Sequence, residues 1–250
     1  MIPLSGEYYV ECNDVFRRRT NQSEQMLAEM RKFAEGRSDL RILSVGSGVG
    51  LFEIPMLQML GDKVASFDGV DVNQHACRIL QEKLEKEFGS SLDYKVEHRS
   101  FQKHQTDHRF EVVLFNHTFE YLSGDRLSWI QKSRDLLVES GNVLIFSPNR
   151  GGINRFYEEV FAPCFSEDLD QLLTHIGMEH STVAIEGQCD VTLFTGEDDD
   201  PDKMRLLSFL TQADCRDLPD AKQRELVDYY LSLSGEDSSI VPHPATLFIL

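Results

Sequence analysis

Positive charge is in short supply in this chain. Its 25 Lys and Arg stand against 42 Asp and Glu, giving a formal charge of −17 and a pI near 4.8. Binding a polyanion takes clustered cations that release counterions, so this balance argues against a nucleic-acid partner; it suits solubility or a cationic small-molecule substrate. Long apolar runs are missing too, none approaching the roughly 18 residues of a membrane span. The opening Met1-Ile2-Pro3-Leu4-Ser5-Gly6-Glu7 has no basic segment followed by an apolar one, which predicts a cytoplasmic protein without a membrane partner. Cysteine is sparse and unpatterned. Cys12, Cys77, Cys164, Cys189 and Cys215 form an odd set without a C-x-x-C. Their spacing encodes neither a disulfide framework nor a zinc site, and the thiols are expected to be reduced and mostly packed in the core. The acidic run from Glu197 to Asp202 lacks EF-hand spacing and reads as a solvated loop, so no metal is expected.

What is present is the material for one sizeable core, with 41% hydrophobic residues in 250. Residues 7–35 read as two helical pieces with a break and a cap at Thr20-Asn21-Gln22-Ser23-Glu24. Strands are expected over 40–45, 64–72, 92–98, 110–115 and 142–147, the last introduced by Ser140-Gly141. Between them lie a helix carrying Leu51, Ile54, Leu57 and Leu60, a second over 74–88 and a third over 123–138. Strands alternating with helices specify an α/β protein with a parallel, doubly wound sheet. Beyond Pro148 the rhythm changes. An aromatic-rich segment leads to a helix with Ser166 as N-cap and Gly177 as stop, then a strand over 178–185, helix over 203–233 and a terminal strand over 245–250.

The candidate chemistry sits at the strand ends. Gly46, Gly48 and Gly50 follow the first apolar strand in a G-x-G-x-G turn, where glycine lets the backbone bend tightly under a ligand without a side chain in the way. Asp71 ends the second strand, where a carboxylate can take both hydroxyls of a ribose, with Asn73 just beyond it. As an alternative, Asp71 caps the following helix. Ser100, Phe101 and Gln102 follow the third strand, offering a hydroxyl, an apolar face and an amide to a base. Asn116, His117, Glu120 and Tyr121 follow the fourth, at the crevice of such a sheet. That order of ligand-compatible residues over four strand ends is more specific than any one motif.

The Val-Gly-Ser-Gly-Val-Gly turn, the Val-Asp-Val-Asn at the second strand and Phe-Asn-His-Thr-Phe-Glu-Tyr-Leu at the fourth resemble the class I S-adenosylmethionine-dependent methyltransferases. Within that class the chain is similar to the histamine N-methyltransferase family. The likeness is carried by Glu7-Tyr8-Tyr9-Val10, Phe16-Arg17-Arg18, Asn21-Gln22-Ser23-Glu24, the Gly196 to Thr211 segment and Thr246-Leu247-Phe248-Ile249. The resemblance implies a Rossmann-like, mostly parallel seven-stranded sheet in a single 1–250 domain. Residues 1–36 would form a helical lid, 37–195 the cofactor-binding core, and 196–250 a substrate-site addition with the last strand. It implies S-adenosylmethionine held by Gly46, Gly48, Gly50, Asp71, Asn73, Ser100, Phe101, Gln102 and Asn116. It also implies a small-molecule acceptor met by Phe16, Glu24, His117, Glu120, Tyr121, Tyr157 and His243. The chain departs from the family pattern at several of these positions. His117 stands for a glutamine, Glu120 for one of two paired tyrosines, Tyr157 for a rim tryptophan and His243 for an asparagine.

Methyl transfer from a sulfonium is an in-line displacement, so positioning alone can supply about 7–11 kcal/mol of barrier reduction. An amine acceptor must also arrive neutral, which calls for a proton acceptor; Glu24, His117, Glu120 and His243 are the candidates. Each also has a structural reading: Glu24 as an exposed helix residue, Glu120 as a solvated rim charge, His243 as a loop histidine and His117 as a structural one. The expectation is a monomeric enzyme methylating nitrogen of a small, histamine-like amine. The rivals are transfer to oxygen or sulfur, a nicotinamide-dependent oxidoreductase on the same sheet, and a nucleoside-binding protein without turnover.

Overall fold

Consecutive apolar residues become central strands in this chain, and the helices that begin at Gln74 and Arg126 take their caps from the short polar side chains of Asn73 and Asp125. The computed structural model describes residues 2–4, 6–122, 125–160, 163–196, 200–235 and 239–250. In chain order the elements are β1 (Ile2–Pro3), α1 (Gly6–Arg19), α2 (Gln22–Phe33), β2 (Leu40–Val45), α3 (Glu53–Leu60), β3 (Val64–Asp71), α4 (Gln74–Glu87), β4 (Asp93–His98) and β5 (Phe110–Asn116). They continue with α5 (Arg126–Asp135), β6 (Leu137–Pro148), α6 (Arg155–Val160), α7 (Ser166–His175), β7 (Ser181–Asp190), α8 (Pro201–Thr211), β8 (Ala213–Asp214), α9 (Asp220–Ser232) and β9 (Ile240–Ile249). Among the described residues, no helix is long and apolar enough to cross a membrane.

Seven strands form one sheet in the order β4-β3-β2-β5-β6-β9-β7. The first five in that order run parallel. At the other side, Val143 and Leu250 exchange both backbone hydrogen bonds, at 3.1 and 3.0 Å, and the Asn149 amide donates to the Pro244 carbonyl at 3.1 Å. Reciprocal bonds between opposed residues, with the number on one strand falling from 250 to 244 as that on the other rises from 143 to 149, mark an antiparallel pair, so β9 runs against β6. Strand β5 carries four consecutive fully buried residues, Val112 to Phe115, as a strand covered on both faces must.

The structure moves several expected boundaries. Strand β6 begins at Leu137, not at Asn142: Phe110 pairs with Leu137, then the register jumps to Val112 opposite Asn142. Ser140 and Gly141 lie in that irregularity, and a Cβ at Gly141 would come within 2.8 Å of the Phe110 carbonyl. The expected helix over 203–233 is two helices, because Gln212 takes a left-handed conformation (φ 51°) and ends α8, after which β8 pairs with β1. Phe165, not Ser166, is the N-cap of α7; its amide donates to Asp168 Oδ2 at 3.0 Å. Strand β7 covers Ser181–Asp190, later than expected, and β9 starts at Ile240, earlier than expected. The residues of the acidic run over 197–199 lie outside the described residues. Asp200 of that run caps α8, its Oδ1 accepting the Asp202 amide at 2.9 Å.

The chain folds as two compact units. One comprises Met1–Gln25, Pro148–Pro163 and Ile185–Ala245; the other comprises Met26–Ser147, Cys164–Ala184 and Thr246–Leu250. The first has its own apolar cluster around Phe16, Phe156, Leu206, Leu210 and Tyr230. The second is built around Leu43, Val113, Phe115, Trp129, Ile145 and Phe248. All five cysteines are buried free thiols, and burial pushes the Cys12 thiol up to about 12.

Candidate active site

The glycine turn lies in the second unit and is bent as its sequence demands. Gly46, Gly48 and Gly50 have φ of 73°, 54° and 75°, a region that residues with a side chain rarely adopt. Their surroundings differ. A Cβ on Gly46 would lie 2.3 Å from Thr118 Cγ2 and one on Gly50 2.5 Å from Leu80 Cδ1, whereas one on Gly48 would meet nothing within 4 Å. Gly46 and Gly50 are therefore small because protein packs on them. Gly48 faces open space.

The turn is held above and below. Its base is closed by Ser44 Oγ, which donates to Glu53 Oε1 at 2.9 Å across the whole loop, both residues buried. The Gly46 amide donates to the Val70 carbonyl at 2.7 Å. At the top, Asp71 Oδ2 accepts the Gly48 amide at 2.8 Å while Oδ1 accepts the Asn73 amide at 2.7 Å. The cap of α4 is Asn73, whose Oδ1 accepts the His75 and Ala76 amides. Asp71 is thus free of the capping role and serves the turn. Asp68, on the same strand, is buried, and burial raises its carboxyl above the ordinary value.

After β4 the chain turns through Ser100, Phe101 and Gln102. The Ser100 carbonyl accepts the Lys103 and His104 amides. Lys132 fastens the turn from α5, its ammonium donating to the Gln102 and His104 carbonyls at 3.0 and 2.7 Å, and burial lowers its own affinity for a proton. Phe101 does not offer an open face: it is buried, stacked on Trp129 at 5.6 Å and edge-on to Phe115 at 5.7 Å. Gln102 is exposed. Beside them, burial alone would raise the Glu97 carboxyl, but hydrogen bonds from Lys95 and His104 hold it below its usual value.

Buried polar residues also gather near the end of β5. Asn116 is buried and its Oδ1 has no hydrogen-bond partner among the described residues, and the same holds for Ser47 Oγ in the glycine turn and Ser147 Oγ at the end of β6. His117 has φ 48°, a conformation costly for a residue with a side chain and concentrated at functional sites. Its amide donates to the Phe146 carbonyl at 3.1 Å. Thr118 turns back onto the glycines, donating weakly to the Gly46 carbonyl at 3.4 Å and to the Asn116 carbonyl at 3.1 Å. Glu120 is only 7% exposed, so the reading as a solvated rim charge is corrected; Oε1 lies 3.6 Å from His117 Nδ1 and Oε2 has no hydrogen-bond partner among the described residues. Tyr121, its neighbour, is 59% exposed.

This constellation puts Asp71 and Asn116 at the ends of the strands flanking β2 with a glycine turn between them, the place where open α/β sheets commonly take their ligands. Residues 16–188 match the sequence profile of a family described as a methyltransferase domain. The chain belongs to that methyltransferase family. No curated protein matched in a sequence search. In solved structures the methyltransferase is similar to an S-adenosylmethionine-dependent methyltransferase from Thiobacillus denitrificans, crystallised with S-adenosyl-L-homocysteine, at 13% identity and a TM-score of 0.57 over 91% of this chain and 90% of that one. A second such enzyme, from Geobacter sulfurreducens and also with S-adenosyl-L-homocysteine, matches at 14% identity and 0.52 over 100% and 92%. The plantazolicin methyltransferase BpumL, again with that ligand, matches at 12% identity and 0.55 over 95% and 87%. These likenesses establish the Rossmann-like methyltransferase fold.

The remaining expected acceptor residues of the methyltransferase lie in the first unit. Phe16 is buried, stacked on Phe209 at 4.4 Å and edge-on to the His243 ring at 5.2 Å. His243 is not a loop histidine. It is a buried residue of β9, with Nδ1 2.8 Å from Thr20 Oγ1 and its carbonyl accepting Gln22 Nε2 at 2.8 Å. The Tyr157 hydroxyl is engaged on both sides, donating to the Phe209 carbonyl at 3.0 Å and accepting from Gln212 Nε2 at 3.1 Å. Glu24 is exposed on α2. Sequence reading missed Ser47, Thr118 and Glu53. A serine inside the G-x-G-x-G turn was the one available signal for Ser47; Glu53 looks in sequence like any acidic first-turn residue.

Proposed function

We propose that this methyltransferase moves a methyl group from S-adenosylmethionine to nitrogen of a small amine. The reading is carried by the glycine turn with its open Gly48, bound to the Asp71 carboxylate and flanked by Ser47 Oγ and Asn116 Oδ1, which are buried and unpartnered among the described residues. Buried polar atoms in a native protein are nearly always paired, so such atoms at neighbouring strand ends suit a polar ligand that pairs them. A nucleoside with a methionine tail fits that donor and acceptor set, and the S-adenosylhomocysteine held by the structural relatives supports it.

When bound, S-adenosylmethionine supplies an electrophilic methyl carbon. The chain's residues would do the rest. Gly46 to Gly50 admit close backbone approach, Asp71 takes ribose hydroxyls, and Asn116 pairs a polar group of the ligand. Nitrogen as the target is supported by the histamine N-methyltransferase resemblance and by the chain's excess of acidic residues, which favours cationic molecules. A histamine-like amine is the proposed acceptor class, and a cytoplasmic monomer acting on a small molecule, apart from nucleic acid and membranes, is the proposed setting.

Incubation with methyl-labelled S-adenosylmethionine and a panel of amines, phenols and thiols tests this by mass spectrometry. Labelled amines are expected. Label on oxygen or sulfur alone would overturn the choice of nitrogen, and binding of NAD without S-adenosylhomocysteine would overturn methyl transfer.

A further inference from the structure

Glu120 combines three properties that the cofactor cradle does not explain. Its side chain is 4% exposed, one carboxylate oxygen lies 3.6 Å from His117 Nδ1, and the other has no hydrogen-bond partner among the described residues. Keeping a carboxylate oxygen from water without a donor is unfavourable, and a ligand that brings a cation or an N–H removes that cost. The position is functional in character as well. Glu120 lies two residues beyond Thr118, which packs on Gly46 of the glycine turn, and His117 holds a left-handed backbone. The same strand end carries Asn116, with its own unpartnered oxygen.

We propose that Glu120 recognises the cationic nitrogen of the acceptor and that His117 takes its proton. The inference rests on the amine reading and deepens it. The acceptor binds as an ammonium, R–NH3+, one N–H donating to Glu120 Oε2. A neutral imidazole at His117 accepts one proton and becomes imidazolium, with Glu120 Oε1 beside it to balance the charge, leaving R–NH2 with a free electron pair. The nitrogen–carbon bond then forms as the carbon–sulfur bond of the sulfonium breaks, its electron pair staying on sulfur. The proton on His117 leaves through the ring's exposed edge, the side chain being 19% exposed. Specificity follows from the same atoms: a neutral alcohol of the same shape offers Glu120 one weaker donor and no charge.

The test uses histamine, phenethylamine and tryptamine as probes, each paired with the matching alcohol. Binding to the chain saturated with S-adenosylhomocysteine is measured by calorimetry, and transfer by mass spectrometry with S-adenosylmethionine. The wild type is expected to prefer the amine of a bound pair. Glu120→Gln should weaken that amine about tenfold to a hundredfold, erase its preference over the alcohol and leave the affinity for S-adenosylhomocysteine unchanged. His117→Gln should lower kcat for the amine by about a hundredfold or more with little change in its binding. Amines methylated by the wild type with Glu120→Gln keeping the preference, or losing S-adenosylhomocysteine equally, would overturn this inference while sparing the proposed function. If none of the amines bound or was methylated, the amine reading would fall and this inference with it.

Discussion

Asp71 Oδ2 and the Gly48 amide, 2.8 Å apart, tie the end of one strand to the turn that follows its neighbour. With Oδ1 on the Asn73 amide, the chain itself fixes the orientation of the carboxylate. Under the proposed function, removing it costs both a ribose contact and the order of the turn. Asp71→Ala is expected to weaken S-adenosylhomocysteine binding by about 1.5–3 kcal/mol, the range for hydrogen bonds to a charged group. Titration calorimetry measures this directly, and unchanged affinity would remove Asp71 from the site.

The three glycines should fail differently on substitution. Gly46→Ala puts a methyl group within 2.3 Å of Thr118 at a φ of 73°, so the folded state itself suffers. Gly48→Ala meets no atom within 4 Å and carries only the left-handed backbone cost, about 1–2 kcal/mol. Denaturant unfolding should rank Gly46→Ala well below Gly48→Ala in stability, while calorimetry finds ligand affinity reduced in Gly48→Ala. Equal stability in the two variants would mean that Thr118 yields easily and that the close packing on Gly46 is unimportant.

Ser44 and Glu53 close the base of the same turn. Both are buried, at 0% and 2% exposure, so Ser44→Ala leaves a carboxylate oxygen without its hydroxyl donor. A loss of about 1–3 kcal/mol of stability is expected. Urea denaturation of the variant checks it, and a loss below a few tenths of a kcal/mol would show that the turn does not depend on this bond.

His180 gives the second unit a pH dependence of definite sign. Nδ1 lies 2.9 Å from the Met178 carbonyl and Nε2 2.9 Å from Asp170 Oδ1. The two ring nitrogens can both donate only in the imidazolium, so the Met178 carbonyl first and Asp170 second raise the affinity of His180 for its proton. The stabilisation is therefore complete below the unfolded value of about 6.5 and is lost as pH rises through the higher folded value. Asp170→Asn should be less stable than wild type in mildly acidic buffer, and the gap should close in alkaline buffer. A gap independent of pH would contradict the pairing. Asp170 is half-exposed, which keeps the effect small.

The central sheet was legible because its strands are short apolar runs between turn signals. Leu40–Val45 and Phe110–Asn116 match their sequence expectations to within a residue. The sequence expectation starts the last strand at Ala245, whereas β9 also takes in Pro242 and Pro244, which lack the amides that a ladder uses. The chain keeps the strand by turning Val241, His243 and Ala245 inward, so the prolines fall on the alternate positions and their carbonyls stay available. That alternation is also why His243 is buried. Glycine spacing located the turn, but whether a polar side chain near it is buried depends on tertiary packing. Glu120 and Tyr121 are adjacent in sequence, yet the charged one is buried and the aromatic one exposed, the reverse of what composition suggests.

The most direct test of the account is transfer of a deuterated methyl group from S-adenosylmethionine to the small-amine panel, read by fragmentation mass spectrometry. The account predicts label on nitrogen of at least one amine, abolished by removing either the amine or the enzyme. Label confined to phenol oxygen or thiol sulfur, or none across the panel while S-adenosylhomocysteine binds, would contradict it.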